Sequence, residues 1–380
     1  MVNSTNDADS ERRTSPDAGS SAERVAELRA ALLEGRGPGA SDQEVARHTR
    51  DNPWLSAKPA PMEHAGRSHA PSGEQFEIAH GDQRATIVEV GGGIRCYDVG
   101  DDQVLQPYAL DQMCDGAHGA PLVPWPNRLA DGRYHFDGVD HQVALTEPEK
   151  NNAIHGFLRW RSWRCIEHLD NRVVMTTTLF PLQGYPFTLA VRVEYHLDDN
   201  GLRVTTTATN IGDKAAPYAC GQHPYLSPAQ GVVDDCILQL QAETRILTDP
   251  QRQLPTGTEP VDGTRFDFRH GRKIGTLAID DAFTDLTRDS DGRAWVRLAR
   301  GDGRGIGLWV DEAYPFVEIY TGDTLAPDRR RRGLGAEPMT GAPNALQSGD
   351  GLVRLEPGET FAASWGVTVT EQDQRSGSGR

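Results

Sequence analysis

The chain has 380 residues, of which 55 are Asp or Glu and 39 are Lys or Arg, so its formal charge is −16. This charge repels phosphate backbones and anionic lipid surfaces, which argues against nucleic acid and membranes as partners. No stretch approaches the roughly 18 apolar residues that a bilayer-spanning helix needs, and residues 1–21 lack the apolar segment of an export signal. We therefore expect a cytoplasmic protein.

The first 73 residues form a separate, polar region. They are rich in Ser, Asp, Arg, Ala, Gly and Pro, and such a composition buries too little apolar area to offset the entropy of the chain. We predict a disordered leader over residues 1–73. One short helix is predicted within it, over residues 20–35, because Ser20 and Glu23 form a capping box, apolar residues follow at helical spacing, and Gly35 supplies a stop.

From residue 76 the sequence changes to short β-rich runs separated by turn residues. The run LAVRVEYHL, residues 189–197, alternates apolar and polar positions, and Asp199-Asn200-Gly201 is a tight-turn signal. Such runs, without long helical periods, predict an all-β fold, a large antiparallel β-sandwich. We place this domain at residues 74–370 and a flexible tail at residues 371–380.

Several polar side chains lie at predicted strand ends or turns, where ligand-contacting residues commonly lie on a rigid β scaffold. Asn127 and Arg128 are adjacent hydrogen-bond donors suited to hydroxyl groups. His155 precedes a glycine, which lets a ligand come close, and His223 precedes Pro224, which favours an extended backbone. Each of these residues, taken alone, is more typical of a structural role.

Three further features extend this set of candidates. Glu337 is an acid between small residues and Pro338, which is unusual for a solvated surface. Trp125 stands beside the Asn-Arg pair, so it is a candidate for stacking on a sugar ring, although indole also fills cores. Arg329–Arg332 is the concentrated basic cluster, and it is either a solvated loop or a contact for an anionic group on the sugar.

Six segments, taken in chain order, resemble the motifs of the galactose mutarotase or aldose 1-epimerase family. The segments are PWPNRLADGRYHFDG, AIHGF, GQHPYLSP, IDDAF, YTGD and AEPMTGAPNAL. The resemblance covers residues 75–368, and six motifs in one order are far more specific than any single motif. The leader has no counterpart in that family.

The resemblance implies a β-sandwich with a shallow sugar cleft and an acid/base reaction that needs no metal and no other cofactor. Glu337 corresponds to the general base for the anomeric hydroxyl, and His223 to the acid for the ring oxygen. The remaining correspondences are sugar-hydroxyl contacts by Arg128, His155 and Asp280, with His155 also able to support the ring oxygen. Asn127 corresponds to a residue that orients Arg128 or a hydroxyl. The partner implied is a small-molecule sugar; the oligomeric state stays open.

Two details of this assignment stay open in the sequence. IDDAF contains both Asp280 and Asp281, and we prefer Asp280 because its spacing to Phe283 is similar to the family's Asp-x-x-Phe. An unperturbed imidazole, with a pKa of about 6.5, is only partly protonated near neutral pH. We therefore expect a carboxylate, from Asp280 or Glu337, to support a charged His223.

Other functions compete with this hypothesis. A noncatalytic carbohydrate-binding sandwich would not require both Glu337 and His223. A glycoside hydrolase needs two carboxyl groups flanking the scissile bond, and our assignment gives the acid role to an imidazole. An epimerase for a phosphorylated or sulfonated sugar would use the arginine run. The preferred aldose, galactose or another, is not fixed by these motifs.

Overall fold

The computed structural model of the chain describes residues 70–371. The predicted leader up to residue 69, its helix over 20–35 and the tail from residue 372 lie outside the described residues. Within the described part, no helix is long and apolar enough to cross a membrane. Its one α-helix is α1 (Ala345–Ser348), and two 3-10 turns lie at Pro148–Lys150 and Val233–Asp235.

Strands make up nearly all of the regular secondary structure in the described residues. In the first half they are β1 (Gln75–His80), β2 (Gln83–Val88), β3 (Ile94–Val99), β4 (Asp102–Leu105), β5 (Pro121–Leu122), β6 (Arg128–Ala130), β7 (Arg133–Phe136), β8 (Val139–Gln142), β9 (Asn152–Ile154), β10 (Arg164–Leu169), β11 (Arg172–Leu179), β12 (Leu189–Asp198) and β13 (Gly201–Asn210). In the second half they are β14 (Ala216–Tyr218), β15 (Gly221–Gln222), β16 (Tyr225–Leu226), β17 (Ile237–Leu240), β18 (Ala242–Thr248), β19 (Pro255–Pro260), β20 (Arg272–Lys273), β21 (Asp280–Leu286), β22 (Ala294–Ala299), β23 (Arg304–Val310), β24 (Phe316–Tyr320), β25 (Leu334–Met339), β26 (Val353–Leu355) and β27 (Thr360–Glu371).

Two large antiparallel sheets contain most of these strands. A 12-stranded sheet has the order β1-β2-β3-β4-β16-β25-β24-β21-β18-β19, with β15 paired to both β25 and β5. A 9-stranded sheet has the order β10-β11-β12-β13-β27-β23-β22-β17-β20. Three two-stranded pairs, β14-β26, β6-β9 and β7-β8, complete the described part. The predicted all-β antiparallel β-sandwich is confirmed.

The period-two pattern in the sequence predicts which residues enter the core. Alternate residues of β12, from Leu189 to Tyr195, are buried, and the strand pairs with β13 through the predicted turn at Asp199-Asn200. Ile78 and Ile87 of the 12-stranded sheet share one continuous apolar cluster with β12. The apolar faces of both large sheets therefore share a single core.

Candidate active site

Two short strands place His223 opposite Glu337. On β15, the residue two positions before His223 pairs with the residue two positions after Glu337 on β25. On β16, the residue two positions after His223 pairs with the residue two positions before Glu337. Since these strands are antiparallel, the register brings residue 223 against residue 337. The backbone N–H of Ala336 donates to the carbonyl of Pro224 at 3.1 Å, which fixes this approach.

The two side chains are in direct contact. Nε2 of His223 lies 3.0 Å from Oε1 of Glu337. Both residues are almost fully buried, with exposed fractions of 5% for His223 and 2% for Glu337. At this distance the nitrogen and oxygen lone pairs repel unless a proton lies between them. The pair therefore holds at least one proton.

A stack of three rings sets the plane of the His223 imidazole. Tyr225 stacks on His223 with ring centroids 4.8 Å apart, and His118 stacks on the other side of Tyr225 at 4.5 Å, both with an interplanar angle of 18°. The Tyr225 hydroxyl donates to the carbonyl of Gly116 at 3.0 Å. Because the stack restricts ring rotation, His223 keeps Nε2 aimed at Glu337.

Burial decides the resting charge of the pair. It lowers the pKa of His223 to about 3, an effect that the positive charge of Arg159 reinforces. Burial also raises the pKa of Glu337 well above its usual value, with Asp280 adding to the rise and Arg128 opposing it. The resting pair is thus a neutral imidazole and a protonated carboxyl. Our expectation that a carboxylate keeps His223 charged is wrong for this state, because desolvation outweighs the neighbouring carboxyl.

His155 enters the same site from the segment after β9. Its Nδ1 accepts a hydrogen bond from the backbone N–H of Asn127 at 3.1 Å. Burial lowers the pKa of His155 well below its usual value, so the ring is neutral and its proton is on Nε2. Both residues have left-handed backbones, with φ of +53° for Asn127 and +62° for His155. This strained pairing holds His155 as an Nε2–H donor.

Arg128 is held by a carboxylate that the sequence motifs do not indicate. Its Nε donates to Oε2 of Glu147 at 2.9 Å, and Nη2 donates to Oε1 at 3.1 Å. Asn127 Oδ1 accepts from the backbone N–H of Arg128 at 2.7 Å. This bidentate pair orients the guanidinium and leaves Nη1 outside the two hydrogen bonds with Glu147.

The period-two geometry of β21 separates the two adjacent aspartates. Asp280 lies opposite Tyr320 of β24 and lines the cleft beside Glu337. Asp281 points to the opposite face, where Nε of Arg245 donates to its Oδ1 at 3.0 Å. Of the two, Asp280 is therefore placed to contact a ligand.

A second buried glutamate accompanies Glu337. Glu318 of β24 lies directly opposite Glu337 of β25 and is 2% exposed. Burial raises the pKa of Glu318 well above its usual value, and the nearby charges of Asp280 and Glu337 raise it further. Among the described residues, Oε2 of Glu318 and Oε2 of Glu337 have no hydrogen-bond partner.

These residues surround a cleft of about 240 Å³, just below the roughly 300–1,000 Å³ typical of small-molecule sites. Its wall includes Asn127, Arg128, Glu147, His155, Arg159, His223, Tyr225, Asp280, Tyr320 and Glu337. Trp125, which we proposed for the cleft wall, is instead a core residue. It is 2% exposed and packs edge-to-face on Phe157 at 4.8 Å, so the prediction of a stacking role at the sugar is corrected.

The arginine run lies beside this cleft rather than in its wall. Arg331 forms ion pairs with Asp234 at 2.7 Å and Asp323 at 2.9 Å. Arg329 and Arg332 line a neighbouring cavity of about 260 Å³. Arg331 is therefore paired by salt bridges within the fold. Arg329 and Arg332 line the neighbouring cavity and not this cleft.

The same site also has the ligand types for a metal ion. His155, His223 and Glu337 each offer one atom that could bind a metal, and these three atoms lie within 4.8 Å of one another. Two imidazoles and one carboxylate can bind a transition metal. The site therefore allows two kinds of chemistry, metal binding and metal-free proton transfer, and removal of metal by a chelator distinguishes them.

Comparison with known proteins assigns the family. The family model "Aldose 1-epimerase" matches residues 74–368. This chain belongs to the aldose 1-epimerase family. It is 35% identical over 289 residues to the uncharacterized protein YihR of Escherichia coli K12, a match that covers 76% of this chain and 91% of YihR. It is 30% identical over 237 residues to the aldose 1-epimerase of the same organism, covering 59% of this chain and 66% of that enzyme.

Solved structures support the same aldose 1-epimerase fold. A GalM/aldose epimerase homologue from C. elegans superposes with a TM-score of 0.71 at 20% identity, covering 79% of this chain and 99% of the homologue. A galactose mutarotase-like protein from Clostridium acetobutylicum superposes with a TM-score of 0.69 at 18% identity, covering 78% and 95%. The predicted family resemblance and its galactose mutarotase-like β-sandwich are confirmed.

Most of the epimerase residues predicted from the sequence come together in one cleft. Those that line it are Asn127, Arg128, His155, His223, Asp280 and Glu337. Sequence reasoning missed Glu147, Arg159 and Glu318. Arg159 lies four residues after His155 in the segment AIHGFLRW, so proximity in sequence was a usable signal. Glu147 and Glu318 carry no such signal, because long-range pairing alone brings them to the site.

The stack of three rings, through its member His118, gives a testable dependence of stability on pH. Burial lowers the pKa of His118 to about 4, so between pH 6.5 and 4 the unfolded chain binds a proton that the folded chain does not. His118→Phe keeps an aromatic ring on Tyr225 and removes this titration. We expect its deficit in unfolding free energy, relative to the wild type, to shrink by about 2 kcal/mol from pH 7 to pH 5. Urea unfolding at both pH values measures this; an equal deficit at both would contradict it.

Proposed function

We propose that this protein is an aldose 1-epimerase, a mutarotase that interconverts the α and β anomers of a free aldose such as glucose or galactose. Glu337 and His223 carry the proton transfers in this proposal. Arg128, His155 and Asp280 hold sugar hydroxyls, and Asn127 positions both Arg128 and His155. The family assignment and the 3.0 Å contact between Glu337 and His223 support the proposal.

The proposed reaction begins with transfer of the shared proton from Oε1 of Glu337 to Nε2 of His223. The Glu337 carboxylate then removes the proton of the anomeric hydroxyl, a C1=O double bond forms, and the C1–O5 bond breaks. His223 protonates O5 as that bond breaks. The products are an open-chain aldehyde, a protonated Glu337 and a neutral His223.

Ring closure reverses these steps on the other face of the carbonyl. Rotation about C1–C2 presents that face, neutral His223 takes the proton of the O5 hydroxyl, and protonated Glu337 donates to the carbonyl oxygen. The resting charges of the pair match those required for closure. The contact between the two groups is the observation that carries the proposal, because one proton shared by two groups supplies one acid and one base in each direction.

A noncatalytic sugar-binding protein is the principal competitor. It would need the hydroxyl contacts but would have no use for a buried carboxyl against a buried imidazole, which costs desolvation energy. Polarimetry on freshly dissolved α-glucose, α-galactose and a panel of other aldoses distinguishes the two. We expect acceleration of mutarotation in proportion to protein concentration; binding without acceleration would favour the competitor.

Metal removal is a separate test of the chemistry. We propose that the proton transfers need no metal and no nucleotide, because hemiacetal opening adds one proton and removes another without net charge. After dialysis against EDTA, the protein is expected to retain its mutarotation rate within twofold. A loss of activity that zinc, iron or manganese restores would contradict the metal-free mechanism and assign His155, His223 and Glu337 as metal ligands.

We propose a cytoplasmic location and a small-molecule sugar as the partner. All five cysteines, Cys96, Cys114, Cys165, Cys220 and Cys236, are free thiols, which is typical of a reducing compartment. The net charge of −16 disfavours association with nucleic acid or with an anionic membrane surface.

A further inference from the structure

One arginine of the cleft has no role in the proposed proton transfers. Arg159 lines the cleft together with Arg128, His155 and His223. Arg128 is matched by the carboxylate of Glu147. Within residues 70–371, by contrast, no carboxylate lies within 4.0 Å of the Arg159 guanidinium, and that guanidinium donates no hydrogen bond. Arg159 therefore presents a positive charge to the cleft without a partner in the described structure.

The position of Arg159 is well fixed. The following residue, Trp160, stacks on the guanidinium with Cζ 4.1 Å from the ring centroid. The loop backbone is tied to the turn after β2, because the N–H of Gly91 donates to the carbonyl of Arg161 at 2.8 Å. A Cβ atom on Gly91 would lie 2.5 Å from the Arg159 carbonyl, so only glycine allows this approach. Stacking covers one face of the guanidinium and leaves its edge N–H groups available.

Charge is distributed unevenly around the cleft. Arg159 is near enough to His155 and His223 to lower the pKa of both. Asp280, in contrast, acts on Glu337 and raises its pKa. Arg159 therefore adds positive charge on the imidazole side of the cleft, and Asp280 adds negative charge on the side of Glu337, where Arg128 opposes it.

The proposed function relates this asymmetry to the sugar. His223 protonates the ring oxygen, which is bonded to C1 and C5, and C5 carries the exocyclic carbon of a hexopyranose. The exocyclic group is therefore the substituent closest to the imidazole side. An anionic group there would meet Arg159, whereas the same group near Asp280 would be repelled.

We propose that Arg159 binds an oxyanion on the exocyclic carbon of the sugar, so that the preferred substrate is an anionic aldose rather than glucose or galactose. This inference rests on the proposed function and specifies its substrate class. Carboxylate, sulfonate and phosphate each present two or more oxygens to the edge of a guanidinium, so all three share the required chemistry. A neutral hydroxymethyl group would leave the half-buried charge of Arg159 without compensation.

Mutarotation of matched sugars tests the proposal. Glucose, glucuronate, glucose 6-phosphate and 6-deoxy-6-sulfoglucose differ only at the exocyclic carbon, and NMR exchange between the H1 signals of the two anomers gives kcat/KM for each. We expect at least one anionic sugar to exceed glucose. Arg159→Gln is expected to lower the ratio of kcat/KM for that sugar to kcat/KM for glucose by roughly 10- to 100-fold, through KM. Arg161→Gln, an exposed arginine of the same loop, is the control and should leave the ratio unchanged.

Binding of methyl glycosides separates the two proposals. A methyl glycoside cannot open its ring, so its affinity reports the oxyanion site even if the protein does not catalyse mutarotation. We expect the methyl glycoside of the preferred anionic sugar to bind more tightly than methyl glucoside, and Arg159→Gln to remove the difference. Equal affinities in the wild type, or an Arg159→Gln variant that keeps the preference, would overturn the inference. Glycoside binding that depends on Arg159 without any mutarotation would overturn the proposed function alone.

Discussion

Replacing Glu337 by Gln is expected to lower kcat for mutarotation by roughly 10²- to 10⁴-fold, the usual contribution of one positioned acid or base. The amide has nearly the shape of the carboxyl, but it neither removes the anomeric proton nor donates one to the carbonyl oxygen. KM should change by only a few-fold, because the hydroxyl contacts of Arg128, His155 and Asp280 remain. NMR exchange between the anomers, or polarimetry, measures the rate.

A matched substitution controls for the loss of one glutamate. Glu77 lies exposed on β1, and Glu77→Gln should retain the wild-type rate. The Glu337→Gln variant should also fold, since the substitution replaces a buried protonated carboxyl by a neutral amide. If Glu337→Gln folds and retains more than a tenth of the wild-type kcat, Glu337 is not the base.

His223→Asn is expected to produce a loss of similar size, roughly 10²- to 10⁴-fold in kcat. Asparagine retains a polar side chain but cannot exchange a proton with the ring oxygen. Because the two residues act on the same proton, the double variant with Glu337→Gln should lose much less than the product of the two single losses. His270→Asn, at an exposed position, is the control.

The kinetics of the double variant distinguish a catalytic role from a structural one. If His223 only supported the fold through its stack on Tyr225, His223→Asn would lower the thermal midpoint without a specific loss of kcat in the folded fraction. Single and double losses that multiply would show that the two side chains act independently. That result would contradict a shared proton between them.

The sequence predicted the fold well because its strands are amphipathic. Alternating residues in β12 and a turn signal at Asp199-Asn200 specify both the buried face and the hairpin. The same period of two places Asp280 in the cleft and Asp281 on the other face. Local patterns of this kind are readable from a sequence, because each depends on neighbours along one strand.

Features that depend on long-range packing were not predictable in the same way. Nothing around Trp125 in the sequence indicates that Phe157 covers its ring and removes it from the cleft. The pairing of Arg128 with Glu147 and of Glu318 with Glu337 arises from strand order, not from spacing. The charge of His223 was wrongly predicted because burial, which no local pattern encodes, exceeds the influence of the nearby carboxyl.

Anomer exchange in D₂O tests the central claim most directly, since one sample shows both whether the anomers interconvert and whether the C1–H bond stays intact. With the wild-type protein we predict exchange between the α and β H1 signals far above the spontaneous rate, no incorporation of deuterium at C1, and exchange near the spontaneous rate with Glu337→Gln. Wild-type exchange no faster than the spontaneous rate for every neutral and anionic aldose, or equal exchange by the wild type and Glu337→Gln, would contradict the account.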